Sequence, residues 1–323
     1  MSLGRIGRVL GGGTNFMKIL ITGGAGFIGS HVVDKLIEQG DEVLIIDDLS
    51  TGSEDNINQS AKFIKIDIAD DKISEIMKEF QPEVVIHLAA QKNVRVSLED
   101  PVFDARVNIL GSLNLIDLSH KLGIKKFIFA SSGVAIYDEN QEMPLTENSL
   151  ENPMSPYGLA KLTIDKYLKY YYNSHGLEYA SLRFANVFGP RQDPKGEAGV
   201  VALFFEKLKA GEPAHVFGTG EQTRDFVYVA DVVDSIVKSM KVSVNTYLNI
   251  GTGSEISINQ LYSEQAQVVG SEIEPVNDPA VPGELMRNCL DATQAKDVLS
   301  WQPQVSIQQG LEQTWEWFKN KKS

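Results

Sequence analysis

Apolar residues fall along the first half of the chain in two alternating rhythms. Short continuous runs, Ile19 to Thr22, Glu42 to Ile46, Phe63 to Ile66, Val84 to Leu88, Lys125 to Ala130 and, later, Ala180 to Phe184, have strand length and many β-branched members. Between them lie amphipathic stretches of helical period: Ser30 to Gln39, Lys72 to Phe80, Pro101 to Leu122, and one that opens at Tyr157 and continues through Tyr167 and Tyr171. Runs apolar on both sides, alternating with helices, predict strands buried between two helical layers. The expected fold is therefore a doubly wound parallel α/β sheet. Beyond Leu177 the alternation weakens into shorter pieces. These are a helix from Val200 to Lys209, a turn at Gly218-Thr219-Gly220, a strand from Phe226 to Val229, a helix opened by Asp231, loops marked by Pro275, Pro279 and Pro282, and a closing helix from Ile307 to Lys319. The expected organisation is a disordered extension at 1–16, a sheet domain at 17–176, and a smaller C-terminal α/β lobe at 177–323 whose chain partly interleaves with the first domain.

Ligands of such sheets gather at the carboxyl ends of the strands, so Gly23, Asp47, Asp67 and Ala89 are expected along one edge. The turn after the first strand carries Gly23, Gly24, Gly26 and Gly29, with Phe27 and Ile28 between the last two. Glycines there permit the turn, the approach of a pyrophosphate and close helix–strand packing, and the helix N-terminus offers free N–H groups. Asp47 follows at about the 20-residue spacing of a ribose-binding carboxylate. An acid there repels a 2′-phosphate, so NAD is favoured over NADP. Asp48 opens a polar loop, through Gly52, that can close over the adenosine.

Lys125 to Ala130 leads into Ser131-Ser132, and Tyr157 and Lys161 stand four apart on one helical face. A free phenol titrates near 10 and is a poor base at neutral pH. A neighbouring ammonium and a nicotinamide cation both favour its ionised form. The loop from Tyr137 to Pro156 lies beyond a strand's carboxyl end and is a candidate lid.

Composition narrows the partners. In 323 residues, 42% are hydrophobic and 23% charged, ordinary values for a soluble enzyme. A net charge of −13 opposes nucleic acids and anionic membranes, so an anionic substrate needs local cations. The single cysteine, Cys289, rules out an intramolecular disulfide and suits a reducing compartment. No apolar run is long enough to span a bilayer. Cytoplasm is the expected location, and no metal site is expected.

Taken together, Thr22-Gly-Gly-Ala-Gly-Phe-Ile-Gly29, Asp47, His87-Leu88-Ala89-Ala90, Ser131-Ser132, Tyr157-Gly-x-x-Lys161 and Arg224-Asp225 resemble the extended short-chain dehydrogenases/reductases, over residues 17 to 318. The likeness is greatest to nucleotide-sugar 4-epimerases of the UDP-glucose 4-epimerase type. The resemblance implies a Rossmann domain holding NAD that is reduced and reoxidised within one turnover. Tyr157 would take the sugar 4-hydroxyl proton, Lys161 would bind the nicotinamide ribose, and Ser132 or Ser131 would hold the 4-oxygen. Cofactor contacts would come from Gly23, Gly26, Phe27, Ile28, Gly29, Asp47, Asp48, Asp67, Ile68, Leu88, Ala89, Ala90 and Asn108. Substrate contacts would come from Lys92, Asn186, Arg191, Arg224 and Arg287, and the family's intersubunit helices imply a homodimer.

Val281 stands where such epimerases carry an arginine before Pro-Gly-Glu, and Arg287 is the candidate replacement. Asn288 falls near the position that governs room for an N-acetyl group. Gly133-Val134 replaces the Asp-Glu of the 4,6-dehydratases, which disfavours elimination. Epimerisation or decarboxylation of a UDP-uronic acid, and a non-catalytic NAD-binding regulator, are the alternatives.

Overall fold

A computed structural model describes residues 16–194, 199–281 and 285–321. Residues 1–15, most of the expected extension, and the Pro-Gly-Glu motif at 282–284 lie outside the described residues.

Seven parallel strands form the central sheet. They are β1 (Lys18–Thr22), β2 (Glu42–Asp47), β3 (Lys62–Lys65), β4 (Val84–His87), β5 (Lys126–Ser132), β6 (Glu178–Phe184) and the Thr246–Ile250 strand. The order is Thr246–Ile250, β6, β5, β4, β1, β2, β3, with Ile19 opposite both Val43 and Val84. Strand order thus reverses between β1 and β4, opening a crevice at their carboxyl ends. The seventh strand, absent from the sequence reading, comes from the later part of the chain and completes the sheet.

Both sheet faces are apolar because successive residues of each strand serve different layers. Ile19, Ile21, Ile45 and Ile86 pack with Val32, Val33, Leu36, Ile236 and Trp301 on one side. Leu20, Leu44, Val85, Phe127 and Phe129 pack with Met77, Leu115, Ile164 and Leu168 on the other. A third cluster, around Phe188, Phe204, Phe205, Leu311 and Phe318, forms the core of the smaller lobe. There the Ile307–Asn320 helix lays Trp315 flat on Phe205, ring centroids 5.5 Å apart.

One expected helix differs from its reading. Pro101 to Leu122 is not a continuous α-helix: Pro101–Ala105 is α-helical, Arg106–Gly111 widens to a π turn, and Ser112–Lys121 is α-helical again. The extra residue in the turn accommodates three polar contacts toward the sheet, from Asp104, Asn108 and Ser112.

Trp301 shows how the layers are fastened. It is fully buried, and its indole N–H donates to the Asp231 carbonyl at 2.8 Å, while the Asp231 carboxylate accepts the N–H groups of Gln304 and Val305. Replacing Trp301 with alanine is expected to cost about 3–5 kcal/mol of stability in urea unfolding, by cavity formation; a loss below about 1 kcal/mol would contradict this packing.

Candidate active site

The chain leaves β1 at Thr22 and enters helix α1 (Phe27–Gln39) through the glycine turn. Gly23 has φ +73°, and a Cβ on it would meet the Ala89 backbone nitrogen at 2.6 Å; one on Gly29 would meet the Gly23 carbonyl oxygen at 2.1 Å. Side chains are therefore excluded from this cradle. Gly26 is the N-cap residue of α1 and supplies no side-chain cap, so the N–H groups of Phe27 and Ile28 are available to an anion.

Asp47 closes β2 at 6% exposure. Its Oδ2 accepts the Ala25 N–H at 3.0 Å and its Oδ1 the Leu49 N–H at 2.9 Å, while burial pushes its carboxyl above the ordinary range. Each oxygen retains acceptor capacity, which a ribose diol requires. Asp48 is exposed and accepts from Ser50. Beyond β3, Asp67 accepts the Ala69 N–H at 2.9 Å and Ile68 is buried against Gly111.

The edge between β1 and β4 is held by a buried chain of hydroxyls. Thr22 Oγ1 lies 2.6 Å from His87 Nδ1 and accepts the Ala89 N–H at 3.3 Å. His87 Nε2 lies 2.7 Å from Ser112 Oγ, whose own proton goes to the Asn108 carbonyl at 2.8 Å. That order fixes the tautomer, with Nε2–H donating and Nδ1 accepting. Burial holds the imidazole down to about 3, so His87 is a neutral, packed residue. Leu88, Ala89 and Ala90 follow it, partly exposed at the crevice, and Lys92 is exposed beyond them.

Ser155 caps the Pro156–His175 helix by accepting the Gly158 N–H, and Pro156 occupies its first turn. This places Tyr157 at the helix start and Lys161 one turn on. The Lys161 ammonium, 4% exposed, donates to the Ala130 carbonyl at 2.8 Å and sits 4.7 Å from the Phe129 ring centroid. Burial brings it down to about 8, partly opposed by Asp165 and Asp104, so it is an ammonium at neutral pH.

Lys161 does not acidify Tyr157 here. Burial, reinforced by the Asp104 carboxylate, pushes the phenol up to about 12. The ammonium is turned to Ala130, and desolvation outweighs it. The expected acidification therefore has to come from a cation placed beside the phenol.

The two serines separate. Ser132 Oγ accepts the Ala135 N–H at 3.2 Å as N-cap of a short helix beside Tyr157, whereas Ser131 lies against buried Asp165. Ser132 is thus the member on the site side. Asp165 itself accepts Arg183 Nε at 2.9 Å and Ser181 Oγ at 2.5 Å, and Arg183 also donates to Glu151 and Tyr137.

Several expected contacts are committed elsewhere. Asn108, read as a cofactor contact, is 3% exposed and spends its amide on the Gln91 backbone and on Asp104. It anchors the loop after β4. Arg191, read as a substrate cation, pairs with Asp34 of α1 at 2.7 Å. Arg287, the candidate replacement for the arginine missing at Val281, pairs with Glu255 and is 58% exposed. Arg224 is half-buried, with Nη1 donating to the Thr223 carbonyl at 2.8 Å. Its neighbour Asp225 clamps the Thr252-Gly253 turn and the Leu290 N–H. Asn186 Oδ1 and Asn288 Oδ1 are buried acceptors without a hydrogen-bond partner among the described residues.

The family model described as the NAD-dependent epimerase/dehydratase family matches residues 19–251. The chain belongs to this family. It is 46% identical over 302 residues to a putative UDP-glucose 4-epimerase of Methanocaldococcus jannaschii, spanning 94% of this chain and 98% of that one. It is 43% identical to a UDP-glucose 4-epimerase of Mycolicibacterium smegmatis, over 94% and 99% of the two chains. Among solved structures, the UDP-glucose 4-epimerase of Thermotoga maritima with UDP-glucose superposes with a TM-score of 0.92 at 48% identity, covering 94% of this chain and 99% of that one.

NAD, the cofactor of the family, fits the site on its geometry. A cradle closed to side chains, free N–H groups at α1 and a carboxylate at the end of β2 are the contacts a dinucleotide needs. Two residues that matter were not found by sequence reading, Asp104 and Asp165, and Thr22 entered it only as the first residue of the glycine motif. A polar stripe at Asp104, Asn108 and Ser112, four apart on one helical face, was the available signal for Asp104.

Alanine at Gly29 is expected to weaken NAD binding at least tenfold by titration calorimetry while the protein stays folded; unchanged affinity would contradict the cradle. Methionine at Arg183 leaves Asp165 unpaired, and should cost about 3–5 kcal/mol in denaturant unfolding.

Proposed function

We propose that the chain inverts C4 of a UDP-hexose, interconverting UDP-glucose and UDP-galactose. The observation that carries this is the placement of Tyr157, Lys161 and Ser132 together at the carboxyl edge, beside the glycine cradle. Its likeness to UDP-glucose 4-epimerases over nearly the whole chain supports the substrate.

Tyr157 is the base that accepts the 4-hydroxyl proton as the C4–H bond breaks, leaving a 4-ketone, and returns that proton after the sugar has presented its other face. With its pyrophosphate held by the glycine cradle and the α1 N–H groups, NAD would supply reversible hydride acceptance and a positive charge near Tyr157, so no external oxidant would be consumed. Lys161 lies one turn along to orient the ribose. Ser132 is placed to donate to the 4-oxygen in either configuration. Asn186, whose Oδ1 accepts no hydrogen bond among the described residues, and Arg224 are the proposed sugar-diphosphate contacts.

A second copy of this chain is proposed to cover the outer faces of the helices around 94–121 and 156–175. Leu98, Val102 and Leu110 on one stretch, and Leu159 and Tyr170 on the other, are each more than half exposed, which suits an isologous helical interface. Among the described residues no helix is long and apolar enough to cross a membrane. A cytoplasmic setting is proposed, in keeping with a lone, buried, reduced Cys289.

Incubation of the purified protein with UDP-glucose, without added NAD, should yield UDP-galactose by NMR. Tyr157→Phe should lose about 10²–10⁴-fold in turnover while keeping its NAD; unimpaired turnover in that variant would remove Tyr157 from the mechanism. Glutamate at both Val102 and Leu110 should convert a sedimenting dimer to a monomer, and a monomeric parent protein would refute the interface.

A further inference from the structure

One stripe of α1 carries side chains that the chemistry above does not use. Phe27, His31 and Asp34 recur at helical spacing along one face. The Phe27 ring meets the His31 ring edge-on, centroids 6.1 Å apart, and packs against the core of the smaller lobe. His31 Nε2 lies 2.9 Å from the Pro190 carbonyl oxygen; a carbonyl only accepts, so Nε2 carries the proton and donates it. Asp34 uses both of its oxygens. Oδ1 accepts Asn58 Nδ2 at 2.8 Å, and Oδ2 pairs with Arg191 Nη2 at 2.7 Å.

Those two partners belong to loops on opposite sides of the site. Asn58 lies between β2 and β3, in a loop fastened to the glycine turn: the Ser53 N–H and Asn56 Nδ2 each donate to the Ala25 carbonyl at 3.1 Å. Gly52 of the same loop passes so near Asp47 that a Cβ on it would lie 3.0 Å from Oδ1. Arg191 lies in the loop after the short Asn186–Phe188 strand, which opens with the proposed diphosphate contact. Its φ is +68°, a left-handed conformation uncommon outside glycine, and its Nη1 is buried with no hydrogen-bond partner among the described residues. The Asp34 carboxylate is thus what anchors this guanidinium.

We propose that Asp34 is a positioning residue that joins the two halves of the ligand site: through Asn58 it steadies the loop beside Asp47, and through Arg191 it steadies the loop that follows Asn186. α1 then serves both ligands, its first turn offering N–H groups to the dinucleotide phosphates and its later turns, through His31 and Asp34, holding the substrate loop. Only the kinetic consequence rests on the epimerase reading. Its size is modest, because Arg191 and Asp34 are 28% and 29% exposed and the pair is partly screened.

Hydrogen–deuterium exchange read by mass spectrometry tests the join without substrate. Asp34→Asn keeps an Oδ1 acceptor for Asn58 and deletes the charge that holds Arg191. Segment 186–194 should then exchange about three- to fivefold faster, with 48–58 and α1 unchanged. Asn58→Ala should accelerate 48–58 alone, and Asp34→Ala should release both segments. Unchanged exchange at 186–194 in Asp34→Asn would overturn the proposal. So would acceleration that includes α1 itself, which reports general loosening of the fold. If Asp34→Asn does not fold, Arg191→Met reads the same segment from the other side of the pair.

In turnover of UDP-glucose, Asp34→Asn and Arg191→Met should each raise KM about three- to fivefold, with kcat and NAD affinity within twofold. Asn58→Ala should instead weaken NAD by a similar factor in titration calorimetry and leave KM within twofold. Reversing the pair, Asp34→Arg with Arg191→Asp, should recover most of the lost KM. A fall in kcat with KM in place, or no recovery in the reversed pair, would overturn the proposal. A parent protein that turns over no UDP-sugar but shows the segment-by-segment exchange pattern would refute the epimerase reading and leave the join standing.

Discussion

Placing an ammonium out of water beside a phenol is the constraint from which much of this molecule follows. Lys161 is almost wholly buried, and an uncompensated buried charge costs several kcal/mol. The compensation comes in layers. Ala130 accepts its proton, the Phe129 ring offers a π face, and Asp165 and Asp104 bring negative charge from two helices. Asp165 must then be balanced, which is the task of Arg183, itself stacked 4.3 Å from the Tyr247 ring centroid and bonded to Glu151 and Tyr137. Glu151 and Tyr137 pair across the two ends of the loop between them. A charge placed for chemistry thus also organises that loop, and polar residues that look superfluous in the core are successive answers to one buried ion.

The sheet supplies the other half of the design. Parallel strands present their carboxyl ends together, so the glycine turn, Asp47, the Ala89 loop, Ser132 and Asn186 reach one edge without any of them being adjacent in sequence. A chain of net charge −13 accommodates anionic groups there by using backbone N–H groups at α1 and few side-chain cations. The phenol is the member left unfinished by the protein alone: burial raises it, and a neighbouring positive charge has to bring it back to where it can act as a base.

What could be read from the chain was whatever has a local period or a short fixed spacing. Six of the seven sheet strands, the glycine turn with Asp47, and the Tyr157–Lys161 step are of that kind. The Thr246–Ile250 strand escaped because it lies among turn residues in a stretch with no helix–strand rhythm. Arginine partners escaped for a different reason. Arg191 meets Asp34 and Arg287 meets Glu255 across long stretches of chain, and a guanidinium satisfies a carboxylate as readily as a phosphate. The π turn at Arg106–Gly111 and the anchoring role of Asn108 follow from tertiary packing, which overrides a continuous helical pattern.

The central claim is that the hydrogen at C4 leaves the sugar and returns to the same carbon without mixing with water, while the proton on the 4-oxygen passes through Tyr157. UDP-glucose deuterated at C4, turned over in ordinary water without added NAD and followed by NMR, tests it most directly. The UDP-galactose formed should retain its deuterium at C4. Deuterium washed out to solvent during inversion would contradict the account.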